Sequence, residues 1–138
     1  MSLEERAKTA KDAPEPQTQP DGQYKLIIRA AKKGESGEES KNPGAKYTRI
    51  SFAFAKPINV PAQMVSTIFM DKIELYDEDT QSMMNLDLKH FMQAFKLTPT
   101  DLAEANFPKL LGKEGWAKVK EKDGDRGIQN EISDFITV

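Results

Sequence analysis

The alternation of apolar and polar side chains divides this chain into short extended runs around one helical stripe. At 46–56, Ile50, Phe52 and Phe54 share a face with Lys46 and Thr48, while Tyr47, Arg49, Ser51, Ala53 and Ala55 share the other. A period of two with three large apolar residues on one side predicts a half-buried strand, with Tyr47 and Arg49 turned outward. At 24–33, Tyr24, Leu26, Ile28 and Ala30 point one way and Lys25, Ile27, Arg29 and Ala31 the other, so the second face is the wetter one. The run 63–75 is nearly all apolar and indicates a strand without choosing its face. The fourth run, 114–122, sets Ala117 and Val119 inward, with Trp116, Lys118 and Lys120 opposite. In the last, 128–136, Ile128 and Ile132 are expected to be buried, with Phe135 or Ile136 closing the core.

Between the third and fourth runs the period changes. Met84, Leu88, Phe91, Met92 and Phe95 make one stripe of a 3.6-residue repeat and predict a helix over 83–96, with Ser82 as N-cap and Asp87 near the positive end of its dipole. The preceding 76–80 reads as an acidic turn. Thr98-Pro-Thr-Asp predicts a second, short helix reaching about Asn106, before Pro108. Glycine-rich 34–45 and 123–127 are expected hairpin connections, and a Pro-bounded loop is expected over 57–61. Five strands with a helix between the third and fourth give a mainly-β chain in the element order of a five-stranded OB-fold barrel. The exposed strand face and loops of such a barrel hold oligonucleotides or oligosaccharides. Residues 1–21 carry Pro14, Pro16 and Pro20 and no sustained apolar period, which predicts a mobile N-terminal arm with a helical turn near 3–10. The Asp21-Gly22 turn then opens one domain over 22–138.

Composition narrows the chemistry. Charged residues make up 30% of the 138 residues, and no apolar run approaches the ~20 residues that a spanning helix needs. MSLEERAKTAKD has acidic residues and no apolar core, so no signal peptide is expected, and a cytoplasmic location suits a chain without cysteine. Absence of cysteine also excludes disulfides, zinc-thiolate sites and a cysteine nucleophile. His90 is the single histidine, which leaves little room for a catalytic triad or a histidine metal site. The net charge is −2, but it is unevenly spread. Residues 24–49 hold seven basic and three acidic side chains, a local +4, whereas 71–106 hold eight acidic and three basic, a local −5. A two-sided molecule follows, and the field of one face matters more to a partner than the sum.

The candidate site is a set of outward aromatic and basic residues. It comprises Lys25 and Arg29 on the first strand, Tyr47 and Arg49 on the second, and Trp116, Lys118 and Lys120 on the fourth. Lys32, Lys33 and Lys41 near the first hairpin, and Lys122 and Arg126 near the second, are expected to flank it as clamps. Bases stack on aromatic faces at roughly 1–3 kcal/mol each, nearly regardless of sequence, while Lys and Arg follow the phosphates. The competing reading makes Tyr47 and Trp116 rim packing and the lysines solubilising surface. Phe69 is a third possible platform but fits the core better. Asp77, Glu78 and Asp79 read as a solvated turn rather than a metal site. Asp123-Gly-Asp125 fails the calcium-loop pattern, which needs a ligand and then glycine where Gly127 and Ile128 stand. Neither 34–37 nor Gly112-Lys113 has phosphate-loop spacing. No catalytic constellation, metal site or cofactor fingerprint emerges, so the expectation is a protein that is not an enzyme.

Three segments carry a resemblance. They are Gly22-Gln-Tyr24, then Lys46-Tyr47-Thr-Arg49-Ile-Ser-Phe52, and third Leu111-Gly112-Lys113-Glu-Gly115-Trp116-Ala-Lys118-Val119, followed by Gln129-Asn130-Glu131-Ile132 and Asp134-Phe135-Ile136. Over roughly residues 22–136 the chain is similar to the small single-stranded DNA-binding proteins encoded by tailed bacteriophages. The resemblance implies an OB fold that coats single-stranded DNA in phage replication or recombination without reading its sequence, in company with replication or recombination proteins. Many such proteins end in a flexible acidic tail that recruits partners. Here Asp134-Phe-Ile-Thr-Val138 reads as a strand end, so recruitment through such a tail is not expected. The alternative function is a non-catalytic protein–protein adaptor in a phage or replication assembly, holding another protein through a barrel face or the 83–106 region. Monomer and homodimer both remain open.

Overall fold

The computed structural model describes residues 2–13, 17–37, 43–55, 64–124 and 127–137. Helix α1 (Leu3–Ala10) comes first, with Ser2 as its N-cap and no buried residue. Five strands follow: β1 (Gly22–Glu35), β2 (Lys46–Phe54), β3 (Val65–Met70), β4 (Glu114–Gly124) and β5 (Gly127–Ile136). Between β3 and β4 lie α2 (Glu78–Phe95), two 3-10 turns (Pro99–Leu102 and Glu104–Asn106) and the single turn α3 (Phe107–Leu110).

The strands form one antiparallel sheet in the order β3-β2-β1-β4-β5. Its edges are β3 and β5, which no ladder joins, so the sheet is open where a closed barrel was expected. A cleft of about 130 Å³ lies along that seam, lined by Thr67 to Met70 of β3, Met84 and Leu88 of α2, and Ile132 to Phe135 of β5.

One face of the sheet is covered by α2. Phe91 and Phe95 from its apolar stripe meet Phe52, Phe69 and Phe135, with ring centroids 5.1–6.1 Å apart, the range in which aromatic rings pair favourably. Leu26, Ile28, Ile50, Phe54, Val65, Leu97, Phe107, Leu110, Ala117 and Val119 complete the buried core. Phe69 therefore belongs to it as a half-buried neighbour of Phe91. Helix α2 approaches β4 so closely that Gly115 leaves no room for a side chain. A Cβ there would lie 2.8 Å from the Ala94 carbonyl oxygen and 2.9 Å from the Phe95 ring.

Helix α2 starts five residues before the expected position. Its N-cap is Asp77, whose carboxylate accepts a hydrogen bond from the Thr80 amide at 2.9 Å, and Glu78 and Asp79 occupy the first turn. The acidic run is therefore a helix start stabilised by the dipole, with Ser82 inside the helix. Hydrogen bonds from Thr80 hold the Asp77 carboxyl below its usual range. Thr98 does cap the next element, its amide donating to Asp101 at 2.8 Å, but the chain makes 3-10 turns there, and Pro108 sits in the first turn of α3. Bonds to Thr98 likewise lower the Asp101 pKa.

Two irregularities rearrange the expected strand faces. The β1–β2 register slips between Ile28 and Ala30, leaving Arg29 as a bulge. Beyond it the faces exchange, so Ala31 packs on the core opposite Ile50 while Ala30 turns out opposite Ser51. The β4–β5 register slips at Ser133. Ile128, expected in the core, is 52% exposed near the hairpin end, whereas Phe135 is buried.

The last residues of the expected arm lie on the sheet. The Gln19 amide donates to Asn130 Oδ1 at 2.8 Å, and Asn130 Nδ2 donates back to the Gln19 carbonyl at 2.9 Å. The Tyr24 hydroxyl donates to the Pro20 carbonyl at 2.7 Å, and Asp21 accepts from the Glu121 amide at the same distance. Among the described residues no helix is long and apolar enough to cross a membrane, and no group of acidic or histidine side chains is arranged to hold a metal.

Candidate nucleic-acid interface

Directly paired residues of neighbouring strands point to the same side of a sheet, so the ladders assign the solvent face. On β2, Tyr47 pairs with Gly34 on one flank and Met70 on the other, and Arg49 pairs with Lys32 and Ile68. On β4, Trp116 pairs with Lys25 and Ile136, and Lys118 with Gln23 and Asp134. Pairing across β1 carries one face from Tyr47 to Trp116. The two rings therefore share the side of the sheet opposite the core.

They do not form one compact cluster. Gly34 and Lys25, the β1 partners of the two rings, are nine residues apart. At about 3.3 Å per residue, the rings are separated by up to about 30 Å along β1. Between them Ile27, Ala30, Ser51 and Ala53 make a half-buried floor of small and uncharged side chains, with Arg29 exposed at the bulge.

The Tyr47 end is cationic. The Arg49 guanidinium lies 5.8 Å from the Tyr47 ring centroid, within cation–π range. Tyr47 lies over Gly34, where a Cβ would come within 2.6 Å of the ring. Glycine leaves room for the half-buried ring to settle against the sheet. Ile68, 46% exposed, extends the surface next to Arg49, and Ser51 and Ser66 share a hydrogen bond of 2.9 Å across β2 and β3. Arg29, Lys32 and Arg49 have no ion-pair partner among the described residues.

Opposing charge interrupts the Trp116 end. The indole is 45% exposed, but Lys25 beside it is paired with Glu114 at 2.8 Å. Lys120 and Lys122 share Glu131, at 3.8 and 3.1 Å. Lys118 is exposed opposite Asp134, which itself lies 3.4 Å from His90 of α2. Exposed pairs of this kind are worth at most about 1 kcal/mol each, so an incoming phosphate can compete for the lysines.

One expected residue lies on the wrong side. After the bulge Lys33 turns to the covered face, where its ammonium bonds both Asp71 carboxylate oxygens at 2.9 Å and stands 5.9 Å from the Phe107 ring centroid. Lys33 is a clasp between β1, the segment after β3 and α3, whereas Lys32 keeps the outward position. Lys41 and Arg126 lie outside the described residues. Gly34, Ile68 and the 27–53 floor were not singled out by sequence, because each acquires meaning only from its cross-strand neighbour.

No protein-family model matches this chain, and no curated protein does.

Proposed function

We propose that this protein is a non-catalytic, sequence-independent single-stranded DNA-binding protein, acting in phage DNA replication or recombination in the host cytoplasm. The strand order, with helices between β3 and β4, fits an OB-fold with its β3–β5 seam unzipped. The observation that carries the reading is the Tyr47 platform. An aromatic ring seated on Gly34, with Arg49 beside it and with Lys32 and Arg29 along β1 without carboxylate partners among the described residues, offers a base something to stack on and its phosphates something to pair with. Trp116 is a second platform at the far end of the same face, and the uncharged floor between them leaves a path for the strand. At no less than about 3.4 Å per nucleotide, a track of about 30 Å takes up to about nine nucleotides, within the range known for one OB fold.

The test uses the protein's single tryptophan. Oligo-dT is expected to quench Trp116 fluorescence, and duplex DNA to do so far less. Tyr47→Ala is expected to weaken oligo-dT binding by about 1–3 kcal/mol, one lost stack, with a similar loss for other base compositions. Parent-like affinity in both Tyr47→Ala and Trp116→Ala would show that the site is elsewhere.

A further inference from the structure

We infer that the open seam between β3 and β5 is a docking site for an extended protein segment carrying one aromatic side chain between basic residues. The inference is separate from the DNA-binding reading and concerns the β3–β5 seam, which adjoins the DNA face at Ile68 and Asp134. The seam cleft holds about 130 Å³, close to the roughly 150 Å³ of an engineered cavity that accepts benzene, so it suits one aromatic ring. Its apolar lining comes from Phe69, Met84, Leu88 and Ile132, with Asn85, Thr67 and Ser133 among its polar groups. Along one side runs the edge of β3, whose outer backbone groups have no ladder partner among the described residues. An extended segment can bond to such an edge while alternate side chains enter the cleft.

Charge selects the occupant. Two of the lining residues are the carboxylates Asp87 and Asp134, each on an exposed residue. The basic side chains facing them are His90, 3.4 Å from Asp134, and Lys118, opposite Asp134 on β4. Such a rim repels phosphates and attracts lysine or arginine beside the inserted ring. A protein segment therefore fits it better than a nucleic acid.

The probe is a fluorescein-labelled peptide with Arg-Phe-Arg between Gly-Ser flanks, followed by anisotropy against the full chain. The Arg-Ala-Arg version is expected to bind roughly tenfold more weakly or worse, since burying a phenylalanine side chain is worth at least that factor, and the Glu-Phe-Glu version more weakly because its carboxylates meet those of Asp87 and Asp134. Asn85→Trp, at an exposed helix position that closes the cleft, is expected to abolish peptide binding. Asp87→Asn, which keeps the shape should the first variant fold poorly, is expected to weaken it as well. Oligo-dT affinity, measured in parallel, is expected to change by less than about twofold in both, as for sites that do not interact. The inference is overturned by an absence of binding up to about 1 mM peptide, the weak end of the affinity scale. Equal binding of the Arg-Ala-Arg peptide also overturns it. Loss of oligo-dT binding in Asn85→Trp would instead assign the cleft to the nucleic acid. Dissociation of a dimer by that substitution, with no peptide binding, would assign it to a second copy of the chain.

Discussion

Replacing Gly115 by alanine tests how α2 is seated on the sheet. Gly115 is buried on β4 opposite Leu26, and a methyl group there would stand 2.8 Å from the Ala94 carbonyl oxygen and 2.9 Å from the Phe95 ring. Neither neighbour can yield cheaply. The first is helix backbone, and the second packs against Phe52, Phe91 and Phe135. Overpacking of this kind costs about 1–3 kcal/mol, and the backbone contact puts Gly115→Ala towards the upper end. For a chain of this size that lowers Tm by roughly 5–12 °C, measured by circular dichroism at 222 nm. Gly34→Ala is the control, because a Cβ there would be even closer to a neighbour, 2.6 Å, but that neighbour is the tip of the Tyr47 ring on the open face. There the ring can swing away, so Tm is expected to move little while oligo-dT binding weakens. A Gly115→Ala protein that melts with the parent would refute the close approach of α2 to β4. A Gly34→Ala protein with unchanged DNA affinity would remove glycine's role under the platform.

Three further outcomes follow from the same geometry. Glu114→Gln and Glu131→Gln each release lysines from ion pairs on the outward face, so single-stranded DNA should bind more tightly at low salt and with a steeper salt dependence, read by fluorescence titration. Lys96 closes α2 at φ 56°, where only glycine is free of strain, and Lys96→Gly should stabilise the fold by up to about 1 kcal/mol in urea unfolding. Asp77 has a lowered pKa in the folded state, so its contribution to stability is present above the unfolded carboxylate value and lost as pH falls through the folded one. Asp77→Ala should accordingly melt below the parent at neutral pH, and the gap should narrow in thermal melts taken through the acid range.

Much of the fold was legible because the large apolar residues keep strict periods. Ile50, Phe52 and Phe54 are buried on β2, and Phe91 and Phe95 on α2, as alternation and the helical stripe predict. Tyr47, Arg49 and Trp116 face outward for the same reason. What was not legible depends on pairing rather than on composition. A bulge at Arg29 exchanges the faces of Ala30 and Ala31 and sends Lys33 inward to Asp71, and nothing in the local pattern marks that slip. The start of α2 was missed because an Asp-Glu-Asp run resembles a solvated turn until Asp77 is seen capping Thr80. The distance between Tyr47 and Trp116 was hidden too, since it follows from which β1 residue each faces. The open β3–β5 seam likewise belongs to tertiary packing, where five strands in the right order still need their last ladder.

The most direct measurement is a gel-shift comparison of single- and double-stranded oligonucleotides across a salt series, with the parent and Tyr47→Ala side by side. Single strands should bind well ahead of duplexes. The logarithm of the binding constant should fall with that of salt at a slope of about −2 if only Arg29, Lys32 and Arg49 engage, and about −5 if Lys118 also engages and Lys25, Lys120 and Lys122 exchange their carboxylates for phosphates. Tyr47→Ala should shift that line to weaker binding at nearly the same slope, because a stack and not a charge has been removed. Equal affinity for duplex, or a Tyr47→Ala line that overlies the parent's, would contradict single-stranded DNA binding on this face.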